Sequence, residues 1–210
     1  MKEIYLEETK LTDVKSSGDD LKRVILLGDS IRIGYSPYLC KELSGVADVR
    51  YPQENCRNTQ FTYIGLSWWK DLFDCPEKVD LVYWNNGHWD IAHWGGDRLS
   101  LNSVDQYAEM LERIHCRLNS LFPNARIIFS TTTPSNPNGI TGVNPRTNEE
   151  IIKYNSKAKR ILEKRGVIIH DLFEMLKDKD ESFYSDYCHL TPQGFEYLGK
   201  VIAQFIIKNL

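Results

Sequence analysis

Five short runs rich in β-branched and aliphatic residues recur along the chain, at residues 23–27, 46–51, 79–84, 126–131 and 167–170, with longer stretches of helical character between them. The clearest helical stretch is 103–122, where Val104, Tyr107, Met110, Leu111, Ile114 and Leu118 recur at spacings of three and four and Pro123 follows as a stop. A second apolar face runs through Ile151, Ile152, Tyr154, Ala158 and Ile161 in 149–164, and Gly166 stands where a helix C-cap belongs. A third helix is expected from Pro192 to about Ile207. Strands that alternate with helices pair in parallel, because each crossover helix returns the chain to the same edge. The predicted fold is therefore a three-layer α/β/α sandwich around a mostly parallel five-stranded sheet, flavodoxin-like in type. Residues 1–20 are polar, mix both charge signs and show no period, so they read as an arm or edge element. Residues 21–210 read as one domain, enough chain to bury a full core but short for two catalytic domains.

Charge and cysteine usage narrow the partners. The net charge is −3, and the basic residues are scattered rather than gathered in a stripe, which argues against nucleic acid and for a neutral or weakly charged small-molecule ligand. No apolar run approaches membrane-spanning length and Met1 is not followed by a leader pattern, so a cytoplasmic location away from the membrane is expected. The five cysteines, Cys40, Cys56, Cys75, Cys116 and Cys188, are odd in number and form no CxxC pair, as expected of reduced thiols.

The chemistry is suggested at the end of the first apolar run, in RVILLGDSIRIGY. Gly-Asp-Ser arises by chance in roughly one chain in twenty of this length. Its place after a strand and before a helix gives it weight, because ligands of such sheets sit at the carboxyl ends of the strands. There the Ser30 hydroxyl lies near the positive end of a helix dipole, where developing negative charge is favoured. The competing reading is a serine that merely caps the helix. Near the other end, SDYCHLTPQG places Asp186 three residues before His189, with Thr191 and Pro192 starting the next helix. A histidine held there can take the serine proton, and the carboxylate can fix its tautomer.

Together these two segments resemble the SGNH hydrolases, the GDSL-type esterase and lipase family: GDSI at 28–31 looks like its first block and DYCHLTPQG at 186–194 like its last. The resemblance implies Ser30 as nucleophile, His189 as general base and Asp186 as the acid that orients it. It continues more weakly through TTTP at 131–134 and RTNEEIIKYN at 146–155. The family's second block normally supplies an oxyanion donor from a glycine N–H, but ENCRNTQ at 54–60 has no glycine, and Arg57 or Asn58 takes that place. The third block is usually Gly-x-Asn-Asp. WNNGHWD at 84–90 aligns Gly87 and Asp90 to it, puts Trp89 on the asparagine, and leaves Asn85, ahead of Asn86, as the expected amide donor. The expected oxyanion hole is thus Ser30, Arg57 and Asn85.

His88, Asp90, His93 and Asp97 cluster in sequence, but they read as loop lining rather than a metal site. Trp84, Trp89 and Trp94, with Trp68 and Trp69 earlier, read first as packing. Trp89 is the one expected to face substrate, since flat aromatic faces among Asn and His donors suit a sugar ring. The Pro-, Asn- and Gly-rich segment 134–148 reads as a flap over the same sheet edge, with Arg146 as a substrate contact. Cys188 is not expected to act as a nucleophile. The leading expectation is a cofactor-free serine esterase that removes a short acyl group, acetyl, from a carbohydrate ester. The rivals are a lipase or lysophospholipase, a thioesterase or an acyltransferase with the same residues, a carbohydrate-binding module without turnover, and a flavodoxin-like phosphate binder.

Overall fold

A computed structural model describes residues 21–136, 138–139 and 144–210. The arm expected at residues 1–20, and Pro137 and residues 140–143 of the expected flap, lie outside the described residues.

The strands are β1 (Lys22–Leu27), β2 (Ala47–Arg50), β3 (Leu81–Trp84), β4 (Arg126–Ser130) and β5 (Ile168–His170), in the order β2-β1-β3-β4-β5 with every pairing parallel. Between them run α1 (Ser30–Glu42), α2 (Thr59–Trp69), α3 (His88–Ile91), α4 (Val104–Leu121) and α5 (Asn148–Glu163), and after β5 come α6 (Leu172–Leu176) and α7 (Pro192–Asn209). The expected α/β/α architecture is the one observed, and the strand runs seen in the sequence are the strands of the sheet.

Successive strand residues point to opposite faces, so a strand covered on both sides must be apolar throughout. β1 and β3 meet that demand: Val24, Leu26, Leu81 and Tyr83 pack on one side with α1, α6 and α7, while Ile25, Leu27, Val82 and Trp84 pack on the other with α2, α4 and α5. Burying each such side chain contributes ~1.5–3 kcal/mol. α4 carries the stripe expected of it; in α5 Ile151, Tyr154 and Ala158 are buried as expected, but Ile152 is exposed and Leu162 is buried in the face instead. Each of the two begins with a capping box, Ser103 with Gln106 and Thr147 with Glu150.

The chain leaves β1 through α1 to β2 on one side, then crosses back through α2 to β3 on the other. That reversal opens a crevice beyond the carboxyl ends of β1 and β3, the place where doubly wound sheets bind ligands. Gly28–Asp29–Ser30 follows β1 there and Asn85–Asn86–Gly87 follows β3.

α1 is the helix expected after Ser30, whereas α2 is not apparent in the sequence. α2 reads TQFTYIGLSWW, a composition of β-branched and aromatic residues that suits a strand. It is helical because Asn58 caps it, its Oδ1 accepting from Phe61 N at 3.0 Å, and because Asp90 Oδ1 accepts from Thr59 N at 3.1 Å. α1 contains Gly34 and Pro37, poor helix residues, and is held by packing on α7.

Candidate active site

Ser30 is the first residue of α1, and the cap of that helix is its neighbour. Asp29 is extended (φ −83°, ψ −154°) and its Oδ1 accepts from Ile31 N at 3.0 Å. The capping role considered for Ser30 therefore belongs to Asp29, which leaves the serine hydroxyl free. The Ser30 backbone N–H is among the first-turn amides that a helix leaves without an intrahelical acceptor.

The opposite wall is a closed hairpin before α7. A bridge pairs Tyr184 with Leu190, Ser185 N donates to His189 O at 2.9 Å, and Thr191 caps α7 by accepting from Gly194 N. At the apex Asp186 Oδ1 accepts from Cys188 N at 2.8 Å and His189 N at 2.7 Å, while its Oδ2 lies 2.7 Å from His189 Nδ1. His189 Nε2 lies 2.8 Å from Ser30 Oγ, across 159 residues of sequence. Partial burial works to raise the Asp186 pKa, but the two amides and the imidazole outweigh it and hold the carboxyl below the usual range. The Asp186 and His189 side chains remain 46% and 36% exposed, so this edge of the site is open.

On the β3 side, Asn85 N donates to Leu27 O at 3.0 Å and the buried carboxamide lies against Gly28, with its Oδ1 lacking a partner. Asn86 is engaged otherwise: its Nδ2 donates to Arg57 O and Thr62 Oγ1, and its Oδ1 accepts from Trp84 Nε1. It braces the Arg57 turn and has no amide hydrogen left for a ligand. Gly87, at φ +154°, is required by close approach, because a Cβ there would lie 1.8 Å from Thr132 Oγ1.

Arg57 takes φ +53°, the left-handed region, where the family's block would carry glycine. This strain sits in the right turn, but the Arg57 N–H already donates to Asn55 Oδ1 at 2.7 Å, an acceptor that sequence reasoning missed. The Arg57 side chain is exposed, with its guanidinium 4.5 Å from the Phe61 ring centre and 5.9 Å from that of Trp89. Trp89 in turn packs on the exposed Trp94 at 4.7 Å between ring centres. Trp69 and Trp84 belong to the core, and Trp68 is half-exposed beside Glu54.

The His and Asp cluster disperses. His88 Nε2 bonds Thr133 Oγ1, Asp90 holds Thr59 and Asn102, and His93 pairs with Glu150 and the Asp97 carbonyl. Among the described residues, the trio with metal-ligand spacing is Asp186, Cys188 and His189, of which Asp186 and His189 are the groups already joined to Ser30. The Cys188 thiol is buried, and burial pushes its pKa up to about 12. Arg146, expected to contact substrate, is buried: its guanidinium donates to His88 O and to the Tyr187 hydroxyl. Sequence reasoning missed Tyr187 as well, although it stands beside Asp186.

A serine hydroxyl, an imidazole and a carboxylate in line at the switch point of a doubly wound parallel sheet form the constellation that serine-hydrolase chemistry requires. The model of the GDSL-like Lipase/Acylhydrolase family matches residues 26–197, and the chain belongs to that family of ester hydrolases. No curated protein sequence matches the chain. Among solved structures it is similar to a lipase/acylhydrolase from Enterococcus faecalis (19% identity, 89% of this chain and 95% of that one, TM-score 0.70). An acetyl xylan esterase is comparable (16%, 88% and 99%, 0.69), as is a carbohydrate acetylesterase from Sinorhizobium meliloti (13%, 90% and 100%, 0.67). At these identities the likeness is one of fold. Among the described residues, no helix is long and apolar enough to cross a membrane.

Proposed function

We propose that the protein is a serine esterase that removes a short acyl group, acetyl, from a carbohydrate-borne ester. The observation that carries the chemistry is the line Asp186 Oδ2, His189 Nδ1, His189 Nε2, Ser30 Oγ, with spacings of 2.7 Å and 2.8 Å at its two hydrogen bonds. In this reading Ser30 Oγ attacks the ester carbonyl as its proton passes to His189 Nε2. Asp186 keeps the Nδ1 proton in place and stabilises the imidazolium. The imidazolium then protonates the departing alcohol, and water enters by the reverse sequence to release the acid.

The tetrahedral oxyanion is held by the Ser30 N–H and the Asn85 side-chain amide. The Arg57 N–H joins them when Asn55 Oδ1 turns away, an exchange of one exposed hydrogen bond worth about 1 kcal/mol. No step calls for a cofactor. The carbohydrate reading is supported by the Trp89–Trp94 pair beside the exposed Arg57 and by the open Asp186–His189 edge, which leaves room for a bulky polar alcohol. The acetyl xylan esterase and carbohydrate acetylesterase among the similar structures point the same way.

The test is a series of p-nitrophenyl esters of rising acyl length together with acetylated sugars, run on the wild type and on Ser30→Ala. Hydrolysis that falls steeply beyond short acyl groups and vanishes in Ser30→Ala supports the reading. Activity that rises with chain length contradicts the acetyl assignment, and activity kept within tenfold in Ser30→Ala contradicts the nucleophile.

A further inference from the structure

We infer that Arg146 is a positioning residue that sets the His189 hairpin against Ser30, an inference that rests on the serine-esterase reading. The hairpin is closed almost entirely on itself, through Tyr184–Leu190, Ser185–His189 and the Asp186 turn. None of those bonds fixes where the imidazole stands relative to the sheet. Tyr187 makes the tie. Its carbonyl accepts from Asn136 N at 2.9 Å, and its hydroxyl accepts from Arg146, whose other terminal nitrogen donates to His88 O just beyond β3.

One planar guanidinium thus joins the segment after β3, the stem of the 134–148 loop and the residue between Asp186 and Cys188. The stem is itself anchored: Pro145 O accepts from His93 N at 3.0 Å, and Asn148 exchanges two hydrogen bonds with the Ser135 backbone. Both Arg146 acceptors are neutral, a carbonyl and a phenol, and its Nε is buried without a partner. Burying a cation on such terms is costly; the buried Asp29 carboxyl offsets part of that cost through space without a direct ion pair, and the two acceptors set where the guanidinium points. Lysine presents a single point of charge and cannot span both. A shift of the hairpin of about 1 Å suffices to slow a reaction of this kind on the order of 10²-fold.

Fluorophosphonate labelling of Ser30, measured beside the steady-state hydrolysis of p-nitrophenyl acetate, tests the inference in Arg146→Gln, Arg146→Lys, Tyr187→Phe and the Arg146→Gln/Tyr187→Phe double variant. The expected result is labelling and kcat reduced together by about tenfold or more, KM within about twofold, and a double variant no slower than its slower parent. Should Arg146→Gln fail to fold, Tyr187→Phe, which removes one oxygen from the ring, decides alone. Unchanged labelling in the variants, a raised KM with kcat kept, or losses that multiply would overturn the inference and leave the esterase reading standing. An unlabelled wild type would instead remove the reading on which it rests.

Discussion

Gly28 and Asn85 meet so closely that no side chain fits between them: a Cβ on Gly28 would lie 2.0 Å from Asn85 Oδ1 and 2.7 Å from Arg32 Cβ. The contact joins the end of β1 to the end of β3 and fixes the Asn85 carboxamide against the Gly28–Asp29 turn that precedes Ser30. A methyl group at this position must push the amide away. Gly28→Ala is therefore expected to lower kcat for p-nitrophenyl acetate on the order of 10²-fold, the size of effect seen when an oxyanion donor is lost, with a smaller change in KM. Full kcat in that variant would show that Asn85 donates nothing to the reaction.

The Asp186 carboxylate accepts from two backbone amides and from the His189 ring within one small turn. Replacing it with asparagine keeps the shape while removing the charge. The new carboxamide would also put an N–H where His189 Nδ1 needs an acceptor, so the imidazole would present the wrong tautomer to Ser30. Asp186→Asn is expected to reduce kcat about 10²-fold or more, without loss of thermal stability beyond a few degrees. Progress curves and a melting scan on the same preparation check it.

Asp90 carries a separate, pH-dependent effect. Burial pushes its pKa up to about 6 against the hydrogen bonds from Thr59 and Asn102, and its Oδ2 has no partner. A carboxyl whose folded pKa is raised binds its proton more tightly in the native state, so wild-type stability from this group is lost as pH rises from the unfolded value of 3.8 through 6. Asp90→Asn, which mimics the neutral form, should gain on wild type by about 2 kcal/mol between pH 4.5 and pH 7.5. Burial moves His170 down to about 4, a shift that acts with the opposite sign, so the difference between variant and wild type, not the wild-type curve, is the quantity to measure by urea unfolding. A difference that does not vary with pH would mean that folding does not raise the pKa of Asp90.

Cys116 is exposed, whereas Cys188, next to His189, is buried with its thiol pushed up to about 12. Ellman's reagent should therefore modify Cys116 in the native protein while esterase activity persists, and reach Cys188 only on unfolding. Rapid inactivation that tracks modification of Cys188 would give that thiol a part in the chemistry.

What the sequence showed and what it hid have the same cause. The strands were legible because burial on both faces demands unbroken apolar runs such as Val24–Ile25–Leu26–Leu27, and α4, α5 and α7 because one buried face imposes a period near four. α2 was hidden because its side chains favour a strand and its helical state depends on Asp90, 31 residues away from Thr59. Ser30, Asp186 and His189 stood out as motifs, but that Asp29 takes over the cap, that Asn55 holds the Arg57 amide and that Asn86 is engaged by the Arg57 turn are all tertiary facts. Arg146 is the sharpest case. Its place in a polar loop suggested a substrate contact, and only the approach of Tyr187 and His88, 41 and 58 residues distant, puts it inside.

The central claim is that the imidazole of His189 activates the hydroxyl of Ser30. The direct measurement is mass spectrometry of the fluorophosphonate adduct, with peptide mapping, in the wild type and in His189→Ala. The account requires a single adduct on Ser30 in the wild type, formed far more slowly in the variant. An adduct on another residue, or labelling of Ser30 at the same rate without the histidine, would contradict it.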